Sequence, residues 1–282
     1  MITILTWNIQ NGKGIDDKIS LNRIAESILN ICDPDIICLQ EVSINSQLVD
    51  GSRPDQVKEL SNIFSDYLPS YGPAYNIKCK DSNDREQYGN LILSRLPVLS
   101  SFNHMLPQTV DSSFRQMPRQ LSEITVQTAL YPLRVMTTHL EYHSELQRCE
   151  QVKRIKSINK EINDLALMPP EQIINSPYRE FERASRAVIC GDFNFVPNSI
   201  EYDLMIGEED SSESLVDAWR YLNPNSIHRP TCGIFDADQW PQGPHCRDYG
   251  FVSSNIAENL HNIVVNEIID ASDHQPVILT LS

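Results

Sequence analysis

The stretch that decides the fold is AVICGDFNFVP, residues 187–197. Ala187 to Cys190 have the short apolar run of a buried strand, and they lead without a break into an acid and an amide, Asp192 and Asn194. Alone, the stretch reads equally as a turn, because Asp and Asn readily hydrogen-bond their own backbone in loops. The same oddity recurs along the chain. TWNIQ (6–10) carries Asn8, CLQEV (38–42) carries Glu41, TTHLEYH (137–143) carries His139, and ASDHQPV (271–277) carries Asp273 and His274. Charged or strongly polar groups in buried strands are costly unless paired or metal-bound, so their recurrence points to one shared site.

The side-chain types sharpen that expectation. Glu41, Asp192 and Asp273, with the amides of Asn8 and Asn194, are hard oxygen donors that suit Mg²⁺, Mn²⁺ or Ca²⁺ rather than zinc. Strand alternation predicts that Asp192 and Asn194 share a face, as do Glu86, Tyr88 and Asn90 of REQYGN (85–90). His139 and His274 add groups that titrate near neutral pH. Oxygen ligands with histidines suit hydrolysis of a phosphate ester, where a metal stabilises phosphoryl charge and a base activates water.

Around these positions, strand-like runs alternate with fewer helical ones. ITILTWNIQ (2–10), DIICLQEV (35–42), GNLILSRLPVL (89–99), LSEITVQTA (121–129), LRVMTTHLEY (133–142), AVICGDFNF (187–195), DYGFVSS (248–254), NIVVNEII (262–269) and QPVILTLS (275–282) are short, β-branched and bounded by turn residues. Leu21, Ile24, Ala25, Ile28 and Leu29 repeat at helical spacing behind the cap candidate Ser20. A second helix follows Pro54, with Val57, Leu60 and Phe64 inward. A third opens on Ser144 and Gln147, a capping-box pattern, with Val152, Ile155, Ile158, Ile162 and Leu165 as its apolar stripe. Its Lys153, Arg154, Lys156 and Lys160 read as a solvated face. Residues 168–186, with proline breaks and many charges, read as a surface insertion within a single domain spanning 1–282.

Composition narrows the function classes. The chain has 282 residues, 40% hydrophobic and 22% charged, which is ordinary for a globular protein. No apolar run approaches the roughly 18 residues of a membrane span, and MITILTWNIQNGKG reads as a first strand rather than a leader. A net charge of −15 argues against strong nonspecific binding to nucleic acid. The seven cysteines form no C-x-x-C pair, which argues against a thiolate zinc site and for the reducing cytoplasmic compartment.

In order, TWNIQ, LQEV, GNLILSR, THLEYH, GDFNFVP, DYGFVSS and SDHQPV resemble the signature blocks of the endonuclease/exonuclease/phosphatase superfamily. Those metal-dependent hydrolases include deoxyribonuclease I, exonuclease III-like repair enzymes, sphingomyelinases and inositol polyphosphate 5-phosphatases. The resemblance implies an α/β fold, a four-layer sandwich of two packed mixed β-sheets flanked by helices, and one or two Mg²⁺ or Mn²⁺ ions. It implies Glu41 as principal metal ligand with Asn8 and Asp273 beside it, and Asp192 and Asn194 at the attacking water or at a second metal. It places His274, oriented by Asp248, and His139 at the scissile phosphate. Glu86 is the candidate partner of His139, Arg119 of MPRQLSEI (117–124) the candidate phosphate-binding arginine, and Asn90 a candidate lining residue.

Substrate choice is expected to lie in residues 223–249, which hold His228, Arg229, Phe235, Trp240 and His245. Trp240 there reads as a base-stacking or phosphate-capping group, or as packing. No cluster of Lys and Arg tracks a nucleic-acid backbone across it. The substrate is therefore expected to be a small or lipid-linked phosphate ester. A DNA or RNA nuclease is the alternative, and a non-catalytic binding protein on the same scaffold a remote one.

Overall fold

The computed structural model describes residues 1–179, 181–207 and 214–282. Its first sheet contains β1 (Ile2–Asn8), β2 (Ile36–Ile44), β3 (Leu68–Lys78), β4 (Arg85–Ser94), β11 (Leu260–Val265) and β12 (Val277–Leu281). Its second contains β5 (Val98–Met105), β6 (Gln120–Gln127), β7 (Pro132–His139), β8 (Ala187–Asp192), β9 (Leu215–Asp217) and β10 (Asp248–Ser253). The spatial orders are β11-β12-β1-β2-β4-β3 and β5-β6-β7-β8-β10-β9. Each sheet is mixed: β1–β2 and β7–β8 are parallel and the remaining pairs antiparallel. A parallel pair needs a crossover, which α1 (Leu21–Ile31) supplies in the first sheet and α3 (Glu145–Leu167) in the second.

Alternation along the strands builds the layers. In the first sheet Ile4, Cys38, Ile92 and Leu279 face inward against Ile124, Val135, Val188 and Val252 of the second. The intervening Leu5, Trp7, Ile37, Leu39 and Leu91 face outward onto α1 and α2 (Gln56–Ile63) through Ile24, Ile28 and Leu60. On the far side Met136, Ile189 and Phe251 meet Val152, Ile155 and Ile158 of α3. Helix, sheet, sheet and helix thus form the four-layer α/β sandwich, and strands buried on both faces read as continuous apolar runs. Caps set the helix starts: Ser20 Oγ accepts from Arg23 N and Ser144 Oγ from Gln147 N, each worth about 1 kcal/mol. Gln147 does not complete a capping box, since neither polar atom of its side chain has a partner.

The stretch 89–99 departs from the single strand expected of it. β4 ends at Ser94, whose Oγ accepts from Leu96 N (3.1 Å), and after Pro97 the chain enters the other sheet as β5. β3 was not legible because Pro69, Gly72 and Pro73 punctuate it. It occupies a sheet edge, where a missing N–H is tolerated. Lys153, Arg154 and Lys160 of α3 lie on the expected solvated face, where Lys153 pairs with Glu150 and Arg154 with Glu161, whereas Lys156 turns inward and donates to Leu204 O (2.9 Å). Among the described residues no helix or strand forms within 168–186, and no helix is long and apolar enough to cross a membrane.

Candidate active site

The central parallel pair of each sheet ends at the same place, so strand C-termini deliver the polar groups. Asn8 closes β1, His139 closes β7 and Asp192 closes β8. In the second sheet His139 and Asp248 stand on either side of Asp192 in register, which puts three polar residues in one row. Glu41 arrives differently. The β2–β4 ladder slips between Leu39 and Val42, and Glu41 takes a left-handed conformation at φ 58°. This bulge separates the directions of two neighbours. Gln40 turns between the sheets, donating to Thr137 Oγ1 (2.8 Å) and Thr6 Oγ1 (3.1 Å), while Glu41 lines the cleft.

The chain then leaves β8 by a second left-handed residue, Asn194 at φ 55°. Asp192 Oδ1 accepts from Asn194 N (2.9 Å), Asn194 Nδ2 donates to Leu140 O (3.0 Å), and Arg247 Nη1 donates to Asn194 O (2.9 Å). Asp192 and Asn194 therefore meet through a turn rather than by strand alternation. Gly191 permits this approach, because its φ is 137° and a Cβ there would lie 2.1 Å from Thr138 O. The last segment is tied to the first strand: Trp7 Nε1 donates to His274 O (2.8 Å) and Ser272 Oγ to Asn8 O (2.8 Å).

These elements surround a cleft of about 490 Å³ lined by Asn8, Glu41, His139, Asp192, Asp273 and His274, with Asn194, Arg119 and Trp240 on its walls. Asn8 Nδ2 bridges two carboxylates, donating to Glu41 Oε1 (3.1 Å) and Asp192 Oδ2 (3.0 Å), and its Oδ1 accepts from Gln10 N. Asp192 Oδ2 also faces His139 Nε2 (3.4 Å) and His274 Nε2 (3.7 Å). Asp248 stands behind, 2.8 Å from His274 Nδ1. Asp273 accepts from Gln239 Nε2 (2.9 Å).

Electrostatics separates the two histidines. Burial and the nearby Arg119 push His139 down to about 3, so it is neutral at physiological pH. Burial also opposes charge on His274, but Asp248, Asp192 and Asp273 raise it well above its ordinary value and keep it cationic. Burial works against the Asp192 anion, yet His274 and His139 hold its carboxyl below the usual range. Burial and then Asp273 raise Glu41 to about 7. The site thus holds a neutral imidazole, an imidazolium and a carboxylate within reach of one another, a division of charge that suits acid and base roles at one pH.

The donor set fits a hard divalent cation. Glu41 and Asp273 bring carboxylates and Asn8 an amide to the same cleft, beside the cluster of Asp192, Asp248 and His274, whose oxygens and nitrogen lie within 4.8 Å of one another. Asp248 Oδ1 is buried without a partner. Crowded carboxylates that resist ionisation, as Glu41 does, are what a bound cation would relieve.

Two expected members stand elsewhere. Glu86 does not face His139; it accepts from Tyr75 Oη (3.3 Å), because Tyr75 is paired across from Tyr88 at the β3 edge and that pairing carries Glu86 away from the cleft. Asn90 is buried between the sheets with Nδ2 toward Gln120 O and Thr137 O, and does not line the cleft. Trp240 lines the cleft but is 1% exposed, with its ring edge-on to His274 and Arg247 over its face. In the same loop His228 is held by Asp217 and Arg229 by Glu267.

Sequence reading missed Glu141, Gln116, Gln239 and Tyr88, all of which line the cleft. Glu141, 1% exposed, accepts from His143 N (3.0 Å) and Met117 N (3.4 Å) and faces Arg119 Nε at 3.8 Å. A buried charge two residues after His139 in TTHLEYH was the available signal.

Comparison with known proteins places this geometry. The sequence model described as Endonuclease/Exonuclease/phosphatase family matches residues 5–274. An endonuclease/exonuclease/phosphatase from Beutenbergia cavernae aligns with 100% of this chain and 72% of its own at TM-score 0.72 and 21% identity. TDP2 of D. rerio, solved with a single-strand DNA product, aligns over 100% and 98% at TM-score 0.64 and 24% identity. A mannosyl-6-phosphatase of Bacteroides thetaiotaomicron aligns over 100% of both chains at TM-score 0.64 and 17% identity. At these identities the likeness is one of fold. No curated protein sequence matches the chain.

Proposed function

This chain belongs to the endonuclease/exonuclease/phosphatase family, and from that premise we propose that it is a divalent-metal-dependent hydrolase of phosphate esters acting by in-line attack of water. The observation that carries the reading is the convergence of groups from three separate segments on one buried carboxylate oxygen: Asn8 Nδ2, His139 Nε2 and His274 Nε2 all face Asp192 Oδ2. Asp192, held by Asn8 and by the N–H of Asn194, orients the attacking water and takes its proton. His274, fixed by Asp248, donates to the phosphoryl group, and Arg119 and His139 bind its oxygens. Glu41, Asp273 and the Asn8 amide would hold Mg²⁺ or Mn²⁺, as one ion or two, and the ion would neutralise phosphoryl charge. A phosphodiesterase or phosphatase on a small or lipid-linked ester is favoured by the −15 net charge. A nuclease is the second reading, supported by the fold shared with a DNA-bound TDP2. Residues 1–282 act as one domain, with 168–186 as a surface insertion. The seven free cysteines, five of them buried, favour the cytosol.

The test is hydrolysis of bis-p-nitrophenyl phosphate, p-nitrophenyl phosphate and plasmid DNA with Mg²⁺, Mn²⁺ or EDTA, by wild type, Glu41→Ala and His274→Ala. Metal-dependent turnover lost in both variants is expected. Turnover that survives EDTA or either substitution would overturn the assignment. A steep fall of DNA cleavage with salt would favour the nuclease reading.

A further inference from the structure

The cleft contains more hydrogen-bond donors than one phosphoryl group uses. Arg119 Nη1, Gln116 Nε2 and Trp240 Nε1 are buried donors of residues that line the cleft and have no hydrogen-bond partner, and Arg119 Nε has only Glu141 Oε2, at 3.8 Å. Arg119 is 5% exposed and Trp240 1%. A buried donor left unpaired is a standing cost, so a cluster of them marks a place where a ligand brings acceptors. In the reaction above, the scissile phosphoryl group takes Arg119, His139 and His274. Gln116 and the Trp240 indole are left over.

Charge says what kind of acceptor they want. Segment 115–119 brings two guanidinium groups, Arg115 and Arg119, to a cleft whose acids are Glu41, Glu141, Asp192 and Asp273, and of these Glu141 is the one tied to the segment, through Met117 N and Arg119. Arg115 is exposed and makes no ion pair among the described residues. The other side of the cleft is acidic: Gln239 and Asp273 also line an adjoining pocket that holds Asp17, Asp236 and Asp238. Glu141 fixes the basic wall through Met117 N and faces Arg119 without saturating it.

We propose that Arg115, Gln116 and the Trp240 N–H form a second oxyanion subsite, so that the preferred substrate is a phosphate ester carrying a further phosphate. This rests on the phosphoesterase reading. The further phosphate has two possible sources, a bisphosphorylated small molecule or the next linkage of a nucleic-acid strand.

The experiment uses the full chain with Mn²⁺ and two chromogenic esters with the same scissile group: thymidine 5′-(p-nitrophenyl phosphate) with and without a 3′-phosphate. The 3′-phosphorylated ester is expected to show at least tenfold higher kcat/KM, carried mainly by KM. The advantage is expected to fall below twofold in the Arg115→Ala/Gln116→Ala double variant and to shrink several-fold in Trp240→Phe, which keeps the ring and removes the N–H. Equal kcat/KM for the two esters, or a preference that survives the double variant, would overturn the subsite and leave the hydrolase reading standing. Should neither ester turn over, the hydrolase reading is in question while the subsite is still decided by binding of thymidine 3′,5′-bisphosphate against thymidine 5′-monophosphate in Ca²⁺. Tighter binding of the bisphosphate that disappears in the double variant supports it; equal binding overturns it. Competition by hexathymidylate more than tenfold better than by the bisphosphate assigns the further phosphate to a strand, and weaker competition assigns it to a small molecule.

Discussion

Replacing Glu41 by Gln should stabilise the metal-free protein at alkaline pH while abolishing its response to metal. Burial and Asp273 raise the Glu41 carboxyl from 4.5 to about 7, so the fold prefers it protonated. Because the folded value lies above the unfolded one, the protonated group's stabilisation is complete below pH 4.5 and is lost as pH rises to about 7. The difference, about 7 minus 4.5, converts at 1.36 kcal/mol per unit to about 3 kcal/mol lost by pH 8. The side chain is 21% exposed, and solvent screening brings the expectation to roughly 1–3 kcal/mol. Gln retains the acceptor for Asn8 Nδ2 and carries no charge, so it escapes the loss. Urea unfolding in EDTA at pH 4.5 and pH 8 measures the difference: the two proteins should be close at pH 4.5, with Glu41→Gln ahead at pH 8. Added Mg²⁺ should then raise wild type past the variant. A Glu41→Gln protein that is less stable than wild type by the same amount at both pH values would refute the reasoning.

Two further outcomes follow from the site. Asp248→Asn removes the carboxylate 2.8 Å from His274 Nδ1, so the imidazolium loses its main support and its pKa falls. The alkaline limb of the pH–rate profile should move to lower pH, with about 3–5 kcal/mol lost in stability for breaking a buried pair; an unmoved limb would remove His274 as the acid. Gly191→Ala should destabilise the fold by more than about 3 kcal/mol, since its Cβ would meet Thr138 O at a left-handed φ. A near-native urea midpoint for that variant would contradict the approach of β7 to β8 described here.

What was legible in the sequence was the set of polar residues that interrupt or end apolar strands. Asn8, Glu41, His139, Asp192, Asn194, Asp273 and His274 stand around one cleft, with Asp248 behind. The signal works because such a residue is too costly in a core without partners. Glu86 and Asn90 carried a weaker signal, alternation in a single strand. Alternation fixes which residues share a face but says nothing of where along the strand the cleft opens. Glu41 shows the limit from the other side, since its direction depends on a bulge that periodicity cannot reveal. Gln116, Glu141 and Gln239 are ordinary polar residues in their local sequence. They acquire meaning only when segments far apart in the chain pack together.

The bond from Trp7 to His274 O spans 267 residues, and β1 finds its second neighbour only in β12. During translation at about 5–20 residues per second, β1 therefore leaves the ribosome long before the strand that completes its sheet. Until then Asn8 and Glu41 can meet, but the imidazolium and Asp273 are still unmade. The cleft is thus assembled whole only when β12 locks in beside β1.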